Sequence, residues 1–166
     1  MREPDMTTAA KRKIAVAITA FGLGLIVAVF LSREPMETLS ADGLANARRR
    51  WQDSAVTGYD LRYTMNRSEY VICVRDGIVT EVTVNGRPPM NRDPRPYTVE
   101  GLFDTLAQEL DNLSNPAGPF AGMNRKVFLR VRFNKELGYV ERYLRTGGPV
   151  GRAATIELTD FSAAGE

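Results

Sequence analysis

GYDLRYTMNRSEYVICVRDGIVTEVTVNG, residues 58–86, is the stretch on which the fold turns. From Gly58 onward Tyr59, Leu61, Tyr63 and Met65 alternate with Asp60, Arg62 and Thr64. Successive side chains of an extended chain point to opposite sides, so a period of two marks a strand with one buried face. A second strand is expected over residues 69–75, Asp76-Gly77 supplies a hairpin turn, and residues 78–84 form a third strand before Asn85-Gly86. Tight turns force neighbours to pair, which makes these strands an antiparallel meander.

Downstream, residues 87–96 hold four prolines and no apolar period, the signature of a loop. Thr98 then caps a helix whose apolar positions are Val99, Leu102, Phe103, Leu106, Leu110 and Leu113, a stripe of helical period. Its other face carries Glu100, Asp104, Glu109 and Asp111. These carboxylates lack the clustering of a calcium loop, so neither a metal nor any other cofactor is expected. Residues 112–124 break structure with Pro116, Gly118, Pro119 and Gly122, and strands follow over 125–134, 138–146 and 153–161, with a glycine-rich turn at 146–151.

Upstream, Ser40 or Asp42 caps a helix through Asp53 with Leu44, Ala47 and Trp51 on one face. Arg48, Arg49 and Arg50 fan away from most of that face and read as solvated, although anionic headgroups would attract them. The sum is an α+β domain, an antiparallel sheet of about six strands in two three-stranded meanders with two helices on one face. The alternative is the same strands curled into a small barrel.

Residues 14–31 are eighteen residues without a charge, preceded by Lys11, Arg12 and Lys13. As a helix this run is about 27 Å long, close to the hydrocarbon thickness of a bilayer. A retained anchor and a cleaved signal peptide both fit it. The end of the run offers a poor peptidase site and its length exceeds a usual cleavable core, which favours retention. The basic triplet orients the amino end to the cytoplasm. The expected organisation is a cytoplasmic tail over 1–13, a single-pass signal anchor over 14–31, a stalk over 32–39, an extracytoplasmic domain over 40–162 and a tail over 163–166. With cleavage, the domain is secreted instead. Ala20, Gly24 and Ala28 form a stripe of small residues on which two such helices could approach.

Composition narrows the chemistry. The chain contains no histidine and one cysteine, Cys73, which removes a Ser-His-Asp triad, a Cys-His dyad, the usual zinc sites and an intramolecular disulfide. Cys73 lies in a strand-like run and reads as a small buried hydrophobe. The net charge of +2 selects no partner.

Trp51 followed by Tyr59 and Tyr63, the Asn85-Gly86 turn after a Val-rich strand, Thr98 leading into Leu102-Phe103, and residues 131–134 followed by Gly138-Tyr139 resemble the domain of unknown function 6174 family. The resemblance covers residues 44–162 and implies a bacterial exported or lipid-anchored envelope protein; none of these motifs is catalytic. Relatives often carry a close cysteine pair on the second strand and a proline after the Gly-Tyr, where this chain has only Cys73 and Val140. It also has no lipobox cysteine after the apolar run, so neither a disulfide nor a lipid anchor is carried over.

Between Arg125 and Arg152 lie eight basic and two acidic residues. A four-residue loop over 134–137 would pair Phe133 with Gly138, Arg132 with Tyr139, Arg130 with Glu141 and Phe128 with Tyr143. That register puts Val127, Leu129, Val131, Phe133, Val140 and Leu144 on the core side. The opposite face would then carry Phe128, Arg130, Arg132, Tyr139, Glu141 and Tyr143, aromatic and cationic groups suited to a protein interface or an anion. The competing description is a solvated face in which Arg130 pairs with Glu141 and the tyrosines cover arginine stems.

The expected function is therefore a non-enzymatic binding or structural module of the cell envelope, contacting another envelope protein or an anionic ligand through this face. Nucleic acid is disfavoured by export. Two alternatives stay open: a hydrolase using a pair among Asp60, Glu81, Glu157 and Asp160, or a small-molecule carrier if the sheet encloses a cavity.

Overall fold

Turn chemistry builds the first half of the sheet in the computed structural model, which describes residues 35–121, 126–147 and 154–164. Strands β2 (Tyr59–Met65), β3 (Ser68–Arg75) and β4 (Ile78–Val84) are joined by Asn66-Arg67 and Asp76-Gly77, and Asn85-Gly86 follows β4. All six of these turn residues have positive φ, between 51° and 77°, the geometry whose twist matches that of paired strands. Asparagine, aspartate and glycine tolerate it best, which is why Asp76-Gly77 and Asn85-Gly86 are readable as turns, whereas Asn66-Arg67, with an arginine at φ 77°, is not.

The second half contains β5 (Phe128–Phe133), β6 (Val140–Thr146) and β7 (Ala154–Ala163). A seventh strand, β1 (Glu37–Thr38), lies within the segment expected to be a stalk. It pairs with β5, and Leu39 beside it is buried after its N–H bonds the Leu129 carbonyl at 2.9 Å. The domain thus begins at Met36. The order is β1-β5-β6-β7-β2-β3-β4, antiparallel throughout. Two meanders are joined through β7 and β2, and the edges β1 and β4 do not pair, so the sheet is open rather than a closed barrel.

Helix α1 (Ala41–Asp53) starts where the Ser40 side chain accepts from the Gly43 N–H, and α2 (Val99–Ser114) where Thr98 does the same for Gly101. Each cap satisfies an N–H that the first helical turn leaves without a partner. Leu44, Ala47 and Trp51 of α1 and Val99, Leu102, Phe103 and Leu106 of α2 join Tyr59, Leu61, Tyr63, Ile72, Val74, Leu129, Val131, Val140, Tyr143 and Ile156 in one core. The stripe of α2 ends earlier than its sequence period suggests: Leu110 is half-buried and Leu113 exposed. The run 14–31, with Lys11, Arg12, Lys13, Ala20, Gly24 and Ala28, lies outside the described residues. Among the described residues no helix is long and apolar enough to cross a membrane.

Candidate functional site

The side of the sheet away from the helices is where the expected binding face must be sought. Its register differs from expectation. Asn134 accepts at Oδ1 from the N–H groups of Glu136 and Leu137, at 3.0 and 2.8 Å, and its own N–H bonds the Tyr139 carbonyl at 2.8 Å. The loop therefore closes at Asn134 and Tyr139, not at Phe133 and Gly138. Beyond it Phe133 pairs with Val140, but Arg132 pairs with Arg142, so Glu141 is an extra residue in β6. Such a bulge reverses the in-out alternation of everything after it. Val131 consequently pairs with Tyr143, Arg130 with Leu144 and Phe128 with Thr146.

The six expected residues are thus divided. Phe128, Arg130, Arg132 and Glu141 share the open face. Tyr143 is turned inward and is 2% exposed. Tyr139, just before β6, stacks on Phe161 at 4.3 Å, and Phe161 in turn joins Trp51 and Tyr59 on the helix side. Leu144, expected in the core, goes outward and is half-buried. Arg142 joins the face instead. The signal for this was present in 140–145, where the apolar residues Val140, Tyr143 and Leu144 follow no clean period of two.

On the open face Arg132 donates from Nε to Glu141 Oε2 at 2.8 Å, and Asn134 Nδ2 donates to Glu141 Oε1 at 3.1 Å. Arg130 does not pair with Glu141. Neither Arg130 nor Arg142 makes an ion pair among the described residues, and Phe128 beside them is 55% exposed.

The four carboxylates considered for catalysis also fall on this face. Register sets Asp60 opposite Cys73, Glu81 opposite Cys73, Glu157 opposite Arg142, and Asp160 opposite Arg62. Asp60 is ion-paired with Arg75 at 2.7 Å, and hydrogen bonds from Arg75 and then Cys73 hold its carboxyl below the usual range. Burial, then the Asp60 carboxylate, raises the Cys73 thiol, the opposite of what a nucleophile needs. None of the four carboxylates lines either of the two clefts flanking the start of α2.

Those clefts were not legible in the sequence. One, of about 350 Å³, lies between the end of α1, residues 55–57 and α2, with Trp51, Val56, Phe103 and Glu100 in its wall. The other, of about 540 Å³, lies between β4, residues 93–98 and α2. Glu100 and Asp104 line both. The Trp51 Nε1–H donates to Glu100 Oε1 at 2.7 Å and the Tyr59 hydroxyl to Glu100 Oε2 at 3.3 Å, while the Val99 N–H donates to the Tyr59 oxygen at 3.2 Å. Burial, then the Glu100 charge, raises the Tyr59 phenol.

The acidic side of α2 is engaged rather than merely solvated. Asp104 pairs with Arg48 at 2.7 Å, and Arg48 also sits over the Phe103 ring. Glu109 takes two hydrogen bonds from Arg145 Nη1, at 2.7 and 3.0 Å, in a pair less than one-fifth exposed on either side. The β6 bulge is what turns Arg145 toward the helix. No group of three potential metal ligands occurs among the described residues. No protein-family model matches the chain, and neither a curated protein nor a solved structure does.

Proposed function

We propose that this protein is a membrane-tethered, extracytoplasmic binding module of the bacterial cell envelope that holds an anionic group of its partner on the open face of the sheet. The observation that supports this best is Arg130 and Arg142, diagonal neighbours on β5 and β6, both without an ion-pair partner among the described residues and flanked by exposed Phe128. Unpaired guanidinium groups beside an exposed aromatic ring suit a carboxylate or phosphate, since each fork can donate two parallel hydrogen bonds. Arg132 contributes less, because Glu141 already occupies its Nε.

The tether rests on residues 14–31 and the basic triplet before them, and the envelope assignment on the resemblance to the domain of unknown function 6174 family. Glu81, Glu157 and Asp160 are exposed, Asp60 is held by Arg75, and none of the four lines either cleft, whereas catalysis by carboxylates is favoured where water is excluded.

The test is isothermal titration of the full chain in nonionic detergent with inorganic phosphate and with a triglutamate peptide. Binding that disappears in Arg130→Glu/Arg142→Glu, while the unfolding midpoint stays within a few degrees, supports the face. No heat with either anion, or the same affinity in the double variant, removes it.

A further inference from the structure

Among the described residues, the charges lining the clefts that flank the start of α2 are matched except at one place. In the wider cleft Asp93 is bound by Arg95 at 2.8 Å, and Asp104, shared by both clefts, is bound by Arg48 at 2.7 Å. Glu100, the other shared carboxylate, meets only the neutral donors Trp51 Nε1 and Tyr59 OH among the described residues. Those donors belong to side chains 4% and 2% exposed, whose rotamers are set by core packing, so both oxygens of Glu100 are held in place. Glu100 as a residue is nonetheless exposed and lines both clefts. The start of α2 supplies only about half a positive charge in its vicinity, less than a counterion would.

We infer that the cleft lined by Trp51, Val56 and Phe103 binds a small alkylammonium ion, its charged end on Glu100 and its chain along the apolar wall. The volume of about 350 Å³ lies in the range of small-ligand sites. Trp51, Val56 and Phe103 line the same cleft as Glu100, which suits a short aliphatic stem more than a hydrated metal ion. Charge selects the sign of the ligand: an anion would meet Glu100 unscreened, and a neutral chain would leave that charge unanswered. The inference is independent of the open sheet face, which lies on the other side of the sheet from both helices.

Trp51 is the only tryptophan in the chain, so its fluorescence reports this cleft directly. The full chain in nonionic detergent is titrated with n-pentylammonium chloride and, separately, with 1-pentanol, at constant ionic strength. The expected result is a saturable Trp51 change with the ammonium ion, on the order of millimolar in affinity, and at least ten-fold weaker binding of the alcohol. Glu100→Gln keeps an oxygen to accept from Trp51 Nε1 and should lose at least ten-fold in ammonium affinity. Gln52→Lys, at an exposed α1 position on the cleft rim, places a competing ammonium there and should weaken binding several-fold without touching the Trp51 and Tyr59 hydrogen bonds. No saturable change with the ammonium ion, equal binding of the alcohol, or unchanged affinity in Gln52→Lys overturns the inference.

Discussion

Val131 lies directly across from Tyr143, and that one pairing decides which side of the second meander faces the core. Cross-strand partners share a face, and Val131 is buried, so the Tyr143 ring is buried with it. Had the strands continued from the Phe133–Val140 pair without the extra residue at Glu141, Arg142 would lie across from Val131 and Leu144, not Tyr143, would point into the core across from Leu129. Removing each side chain separates the two arrangements. Tyr143→Ala should cost about 3–5 kcal/mol in urea unfolding, as expected for emptying a large core site. Leu144→Ala should cost about 1 kcal/mol or less. The reverse ranking would reject the bulge.

Gly138 holds the β5–β6 loop against α1. Its φ is +86°, and a Cβ there would collide with the Ala47 carbonyl and crowd Arg50. Gly86 has a similar φ of +72° but open space around it. Gly86→Ala should therefore cost about 1 kcal/mol, the backbone penalty alone. Gly138→Ala should cost at least twice as much, because helix and loop must also separate. Equal losses in thermal unfolding would show that the contact with α1 contributes nothing.

Tyr59, Tyr63 and Tyr143 are all buried, and in each case burial is the first cause of a phenol raised far above its ordinary value of 10.0. A raised folded pKa means that the unfolded chain loses its protons first. The contribution is complete below about pH 10 and is lost as pH rises beyond it, by up to about 4 kcal/mol per pH unit for three protons. Stability should thus fall steeply above pH 10. With no histidine in the chain, it should be nearly flat between about pH 5.5 and 8. Urea midpoints across pH, with phenolate absorbance followed in parallel, check both halves; three phenols ionising before unfolding would contradict the first.

β4 is an edge strand of seven residues, mostly β-branched, with Glu81 its only charge. Strands of this kind invite pairing with another chain. The following segment blunts it: Val84 and Arg87 exchange hydrogen bonds at 2.7 and 3.1 Å, and Pro88-Pro89 comes next without an N–H to extend the ladder. Pro88→Thr/Pro89→Thr should lengthen this hairpin or expose it to a second copy. Sedimentation velocity should show more self-association than the wild type at equal concentration, or hydrogen exchange should show new protection at 87–89; neither change would mean the prolines guard nothing.

Local physics accounts for what the sequence determined by itself. The turns at Asp76-Gly77 and Asn85-Gly86, the caps Ser40 and Thr98, and the alternation from Tyr59 to Met65 each depend on dihedral and periodic preferences over a few residues, and the strands and helices formed accordingly. Tertiary structure alone decided what those elements present. One extra residue in β6 reversed a strand face, sending Tyr143 inward and Arg142 outward, because side-chain direction depends on parity, and the broken alternation at 140–145 does not by itself say which residue is the extra one. Thr38 and Glu37 became a strand only because β5 offered an open edge. Glu100 acquired its setting from Trp51 and Tyr59, more than forty residues away in the chain, which no local pattern can bring together.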